Sequence, residues 1–294
     1  MSTTTQHQDP VTPSTPGSAG PAPGGTPQVT RRPRRDLRRK LLPPFVALVL
    51  VLGLWQGLVS GFGLPTYLLP GPGAVIGAVG EAVPALVEPA LVTMQEAYLG
   101  FALAAAVGFL VALVMARWNV AERGLYPYMV LLQTIPIIAV APLLVVWLGA
   151  GTATNTVVAA MIAVFPVAAN TLTGLKSTDR NLVQLYSMAG AGKTFEMFSL
   201  RVPYALPFVF TGLRIAAGSS VIGAIVGEFV AGIGGGRGGL GYVITTDATQ
   251  LLMPQLFCAV LAASLVSLVL FGLMTLAERL LLQRWHDSAL PNDE

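Results

Sequence analysis

From Gly124 to Leu175 the chain contains no Asp, Glu, Lys or Arg. A soluble domain cannot hide such a stretch, because about a quarter of its residues are normally charged. Here 11% are charged and 54% are hydrophobic. The stretch also exceeds the roughly 20 residues that cross a hydrocarbon core, so it must fold back on itself. GAGTATN at 149–155 supplies the turn and leaves two spans, 125–148 and 154–174. Pro127, Pro136, Pro142 and Pro166 lie in this hairpin. Prolines kink membrane helices, and neighbouring helices satisfy the carbonyls they free.

Four more apolar runs read as spans, at 43–60, 96–116, 205–230 and 250–278. GFGLPTYLLPGPG (61–73) separates the first two. Residues 74–92 carry Glu81, Glu88 and two prolines and read as a surface helix outside the membrane. The fold class is therefore all-α: a polytopic membrane protein with six transmembrane helices in residues 41–284. Residues 1–40 form a disordered, basic amino-terminal tail, since 1–30 are rich in Pro, Thr, Ser and Gly and bury too little to order themselves. Residues 285–294 form a short carboxy-terminal tail.

Seven basic residues between Arg31 and Lys40 are followed at once by an apolar run, which points to membrane orientation and not to nucleic acid. With both termini in the cytoplasm, the cytoplasmic segments hold 15 of the 17 Lys and Arg residues. Arg237 falls in an outer loop and Arg214 in the fifth span. The late start of the apolar run argues against a cleaved leader.

This orientation places one polar island, 176–204, in the cytoplasm between spans four and five. It holds Lys193, Glu196 and Arg201 beside long chargeless runs. AGAGKT within it matches the end of a phosphate-binding loop at Gly192, Lys193 and Thr194, but the first glycine position is Ser187. Such a loop needs an α/β domain, and the island has no room for one. It reads instead as a turn in which Gly190 and Gly192 let two short helices meet. Gly234, Gly236 and Gly239 similarly read as a flexible outer turn, not a dinucleotide fingerprint.

Ionisable groups inside spans are costly and face a cavity or a partner. Glu96, Arg214 and Glu228 are therefore candidates for lining a pathway, against the plainer reading that the two glutamates reach interfacial water. Asn155, Asn170, Thr171 and Thr173 read as hydrogen-bonding glue between helices. One cysteine and two histidines supply neither a disulfide nor a metal site. No catalytic residues and no cofactor-binding motif emerge from the residues.

At this point the chain resembles the permease subunits of bacterial ABC importers. Those carry a cytoplasmic E-A-A-x-x-x-G-x(9)-I-x-L-P loop. Here Gln184-Leu185-Tyr186 stands at the triplet, then Gly190, then nine residues, then Leu200-Arg201-Val202-Pro203. LLPGPGAV, QTIPIIAVAPLLVVWLGAG and GLGYVI extend the resemblance over about 65–285, to permeases of the nitrate, sulfonate and taurine group. QTIP, FPVAANTLTGL, VIGAIVGEFV and RWH lean towards relatives for hydroxymethylpyrimidine, thiamine-precursor or riboflavin uptake. The resemblance implies a coupling-helix loop at 176–204, with Gln184, Leu185, Tyr186, Gly190, Gly192, Leu200, Val202 and Pro203 against a separate ABC ATPase subunit. It also implies an extracytoplasmic solute-binding protein, a second permease copy in a homodimer, and a place in the cytoplasmic (inner) membrane among its lipids. A stand-alone ion-coupled secondary transporter is the alternative.

Overall fold

The computed structural model describes residues 37–233 and 238–282, with side chains at 42–232 and 238–281. The tail 1–36, the glycines at 234 and 236, Arg237 and the carboxy-terminal tail lie outside the described residues. Every regular element among the described residues is helical. The chain divides into two units, Met1–Val49 and Leu50–Glu294. In the first, the described residues are the leading turns of α1 (Leu37–Gly61), whose side chains are exposed from Leu42 to Val49.

In the second unit, α5 (Thr152–Lys176) lies between α2 (Pro72–Arg117) and α8 (Val202–Ile233) and forms the most extensive contacts with both. The sequence dictates this through small side chains. Ala97, Ala104 and Ala112 of α2 and Ala216, Ala217 and Ala224 of α8 are all but fully buried. Where lipid is the solvent, apolar burial does not drive helices together, so close backbone approach and van der Waals contact must. A Cβ on Gly100 would stand 2.5 Å from the Ala159 Cβ, and one on Gly223 would stand 2.6 Å from the Ala159 Cα. Both glycines press α5 from opposite sides at one residue.

The expected apolar segments lie in helices among the described residues, but several boundaries differ. Residues 74–92 are not a separate surface helix. They continue without a break into the second span, giving 46 residues, or about 69 Å of helix, against a hydrocarbon core of roughly 30 Å. Val75, Ala82 and Leu86 are buried in one cluster with Cys258, Ala259 and Ala263 of α10 (Met253–Leu282). That packing overrides Pro84 and Pro89 and the two glutamates.

The run 125–148 is not one straight span. It is α3 (Asn119–Thr134) and α4 (Ile137–Leu148), bent by 96°. The cause is Pro136: the residue before a proline is pushed out of the α region, and Ile135 sits at φ −67°, ψ 126°. By length and composition, five helices among the described residues are able to cross a membrane, or six if the bent pair counts as one span. The sixth helix starts at Met253, after α9 (Leu240–Thr249) and a turn at Leu251.

Gly223→Ala should lower the thermal midpoint of the detergent-solubilised protein by the equivalent of about 1–3 kcal/mol of overpacking. Gly77→Ala, which meets nothing within 4 Å inside α2, should leave it unchanged or raise it slightly. Thermal unfolding of both variants checks this.

Candidate functional site

The island between the fourth and fifth spans begins with α6 (Arg180–Met188). Asp179 starts it: its carboxylate accepts the Asn181 N–H at 2.8 Å, a side-chain cap. The helix ends in a Schellman turn, in which Ala191 N–H bonds to Tyr186 C=O at 3.0 Å and Gly190 N–H to Ser187 C=O at 3.1 Å. Gly190 takes φ +73°, the left-handed position that this turn requires. Gly192, at φ −67° and with open space around it, has no such requirement. Of the two glycines, only Gly190 is fixed by geometry.

Beyond the turn, the segment is not a loop. α7 (Lys193–Glu196) runs through a π-helical turn, Met197–Arg201, straight into α8. Val202 N–H bonds to Met197 C=O, five residues back. Pro203 follows, with no N–H to give and a ring that crowds the preceding turn, and a widened turn relieves that crowding. Leu200 thus sits in the π turn, and Val202 and Pro203 open the fifth apolar helix, so the expected loop 176–204 ends early, at Gly192.

α6 makes scarcely any contact with the other helices. Leu182, Leu185 and Met188 recur along it and are exposed, Met188 at 86%. Gln184 is exposed as well. Tyr186 stacks on Phe195 of α7, ring centroids 6.3 Å apart, which ties the two short helices across the turn. Glu196 pairs with Arg201 at 2.7 Å. A strand, which a phosphate-binding loop would need in front of it, is absent among the described residues.

The structure brings Glu96 and Glu228 together elsewhere, 2% and 3% exposed. They do not reach interfacial water. Asn155 of α5 donates its amide to both carboxylate oxygens of Glu96 at 3.0 Å. Thr93 Oγ1 donates to Glu228 Oε1 at 2.6 Å and accepts the Leu240 N–H at 2.8 Å. Gly241 N–H donates to Glu228 Oε2. A Cβ on Gly239 would overlap the Glu228 carboxylate. One polar node therefore fastens α2, α5 and α8 to the start of α9. Of the residues read as interhelical glue, Asn155 acts so. Asn170 and Thr173 bond to carbonyls of their own helix, at Pro166 and Ala169, and the buried Thr171 hydroxyl has no partner among the described residues.

Arg214 lies apart from the node. Its Nη1 stands 3.2 Å from Glu278 Oε2 on α10, a half-buried ion pair between antiparallel helices. Sequence reasoning missed Thr93 and Glu278. A lone threonine in an apolar run gives no signal, and the Arg214–Glu278 pairing depends on which helices adjoin.

Apolar helices packed around one central helix, with a short helix standing clear of them, make up a multi-span membrane protein. The chain belongs to the family of binding-protein-dependent transport system inner membrane components, matched over residues 104–287. It is 36% identical over 245 residues to a riboflavin transport system permease of Chloroflexus aurantiacus, covering 83% of this chain and 90% of that one. It is 35% identical over 243 residues to a formylaminopyrimidine transport permease of Halalkalibacterium halodurans, covering 82% and 95%. A nitrate import permease of Synechococcus elongatus is 28% identical over 241 residues, covering 74% and 83%. The chain is thus a membrane-embedded permease component of an ABC transport system, a family that works with an ATPase and a binding protein.

Thr93→Val should keep the shape of the node but leave Leu240 N–H without its acceptor. The expected cost is about 1–3 kcal/mol, the desolvation penalty of an orphaned buried group. A lower thermal midpoint together with faster amide exchange at Leu240 checks it.

Proposed function

We propose that this subunit takes its drive from a separate ATPase docked on α6, and that α7, the π turn and α8 carry the movement into the membrane as a rigid body. The single observation behind this reading is that α6 is capped at both ends yet almost unsupported by the bundle, with Leu182, Leu185 and Met188 in the open. An exposed apolar patch on an otherwise stable helix marks a protein partner. Gln184, Leu185 and Tyr186 lie on this helix and Gly190 fixes its end, while Leu200, Val202 and Pro203 belong to the transmitting part. The distribution of Lys and Arg supports a cytoplasmic position for α6 and for both termini.

The pathway itself needs a second copy. A groove of about 690 Å³ runs between α8 and α10, lined by Ile222, Phe229, Phe271, Ser264 and Ser267 among others. We assign it as one half of a passage that an identical permease closes, with a solute-binding protein delivering cargo from the other side of the membrane to α6. Glu96, Arg214 and Glu228 do not line this groove. We read the Glu96–Glu228 node as the closed outer wall of the passage and Arg214–Glu278 as a strut beside it. An ion-coupled carrier working alone would need such charges open to its cargo, and here each is engaged by protein groups. The groove's mix of aromatic rings and hydroxyls suits a small, planar, nitrogen-containing organic solute, in keeping with the printed names of the riboflavin and formylaminopyrimidine relatives.

Leu185→Glu combined with Met188→Glu should weaken capture of the cognate ATPase about tenfold or more, because two apolar contacts worth about 1.5–3 kcal/mol each would be lost. Both side chains are exposed, so the thermal midpoint of the permease alone should not change. Gly190→Ala should weaken capture through the strained turn, at about 1 kcal/mol, while Gly192→Ala should not. Pull-down of the ATPase with purified permease reads all three. Unchanged capture in the double variant would reject α6 as the docking element.

A further inference from the structure

At the end of α2 the chain leaves the helix at Trp118, φ −130°, ψ 114°, and begins α3 one residue later. Met197 of the π turn packs with Ala112 and Met115 beside this corner, and two adjoining cavities lie between the corner and α7 with its π turn. The first, about 720 Å³, is lined by Arg117, Trp118, Asn119, Lys193, Glu196 and Arg201 among others. It holds three cations against one carboxylate, and that carboxylate is already taken by Arg201, whose Nε donates to Glu196 at 2.7 Å. Arg117 and Lys193 form no ion pair among the described residues. The Arg117 guanidinium lies over the Trp118 ring, 5.4 Å from its centroid.

The second cavity, about 310 Å³, is apolar: Leu113, Val114 and Phe198 line it, and it shares Arg117, Trp118 and Met197 with the first. The two spaces are thus one amphipathic recess, cationic at one end and greasy at the other. Its apolar limb runs along the last turns of a helix apolar enough to cross a membrane, which ends at Arg117. Tryptophan and arginine at that position mark the level of the lipid headgroups. Basic pockets between helices at this level bind anionic headgroups, and the adjoining limb takes a hydrocarbon chain.

We propose that this recess is a binding site for an anionic phospholipid, its phosphate held by Arg117 and Lys193 and one acyl chain lying along Leu113, Val114 and Phe198. An acidic segment of a soluble partner satisfies the charge but not the apolar limb, which continues into the membrane-spanning part of α2. The bound lipid would brace α7 and the π turn against the α2–α3 corner. This inference concerns binding by the permease alone and stands whether or not α6 is the docking helix.

The test uses the full-length permease, delipidated in detergent, with thermal unfolding and native mass spectrometry as readouts. Phosphatidylglycerol should raise the thermal midpoint and remain bound, whereas phosphatidylcholine and inorganic phosphate should do neither. Arg117→Gln with Lys193→Gln should weaken phosphatidylglycerol retention by about tenfold or more, on the order of two basic side chains facing an anionic lipid. Arg180→Gln, on α6 and away from the recess, should not. Phe198→Gln, confined to the apolar limb, should weaken phosphatidylglycerol while keeping both cations in place. An equal shift from phosphatidylcholine would overturn the proposal. So would an equal shift from phosphate, which would make the site one for free anions, or undiminished retention in both the double variant and Phe198→Gln.

Discussion

The close approach of α2 and α8 to α5 is the constraint on which the rest depends. In water, a core this rich in alanine and glycine would bury too little apolar surface to hold together. In lipid, surface burial between helices is worth little, and small residues become the means of association because they let backbones touch. Ala159 is where this is tightest, with Gly100 on one side and Gly223 on the other. Larger residues at these places would separate the helices. They would also separate Asn155 from Glu96 and Thr93 from Glu228, since those bonds form between the same helices one to two turns away.

The polar node is therefore a product of the packing as well as a contributor to it. A buried carboxylate without partners would be among the costliest groups in the membrane. Here the Glu228 carboxylate accepts from the Thr93 hydroxyl of α2 and from the Gly241 N–H at the start of α9, so the chain after the glycine-rich segment is held by the span it has just left. Arg214 and Glu278 solve the same problem by pairing with each other. Both solutions turn an expensive residue into a geometric restraint, one near α9 and the other near the end of α10.

Much of the architecture was legible in the sequence because lipid simplifies the code. Chargeless runs became helices, and GAGTATN did separate the third and fourth apolar segments. Gly190, singled out as a turn residue, does take the left-handed position at the end of α6. Three things were hidden, each for a physical reason. Pro84, Pro89, Glu81 and Glu88 looked like signs of a surface helix, but burial of Val75, Ala82 and Leu86 against α10 carried the helix through. The same residue type had the opposite effect at Pro136, where the chain turned by 96°. A proline's local penalty is fixed, but what offsets it is tertiary and cannot be read from one sequence. The node was half legible, since its carboxylates stood out by charge while Thr93 and the two amides beside Glu228 had no signature at all.

The π-helical turn sets a phase. An α-helix advances about 100° per residue, so one extra residue in a turn rotates all that precedes it by that angle relative to all that follows. Met197–Arg201 holds such a surplus residue between the Tyr186–Phe195 stack and the buried face of α8. The direction in which α6 projects is thus fixed by the count of residues in one widened turn, while α8 keeps its glycines aimed at α5. Relatives that lengthened or shortened this turn by one residue would present α6 to a different quarter of the compass, with no change to the membrane core. The turn separates two problems that a continuous α-helix would have locked together: how the bundle packs, and which way α6 points.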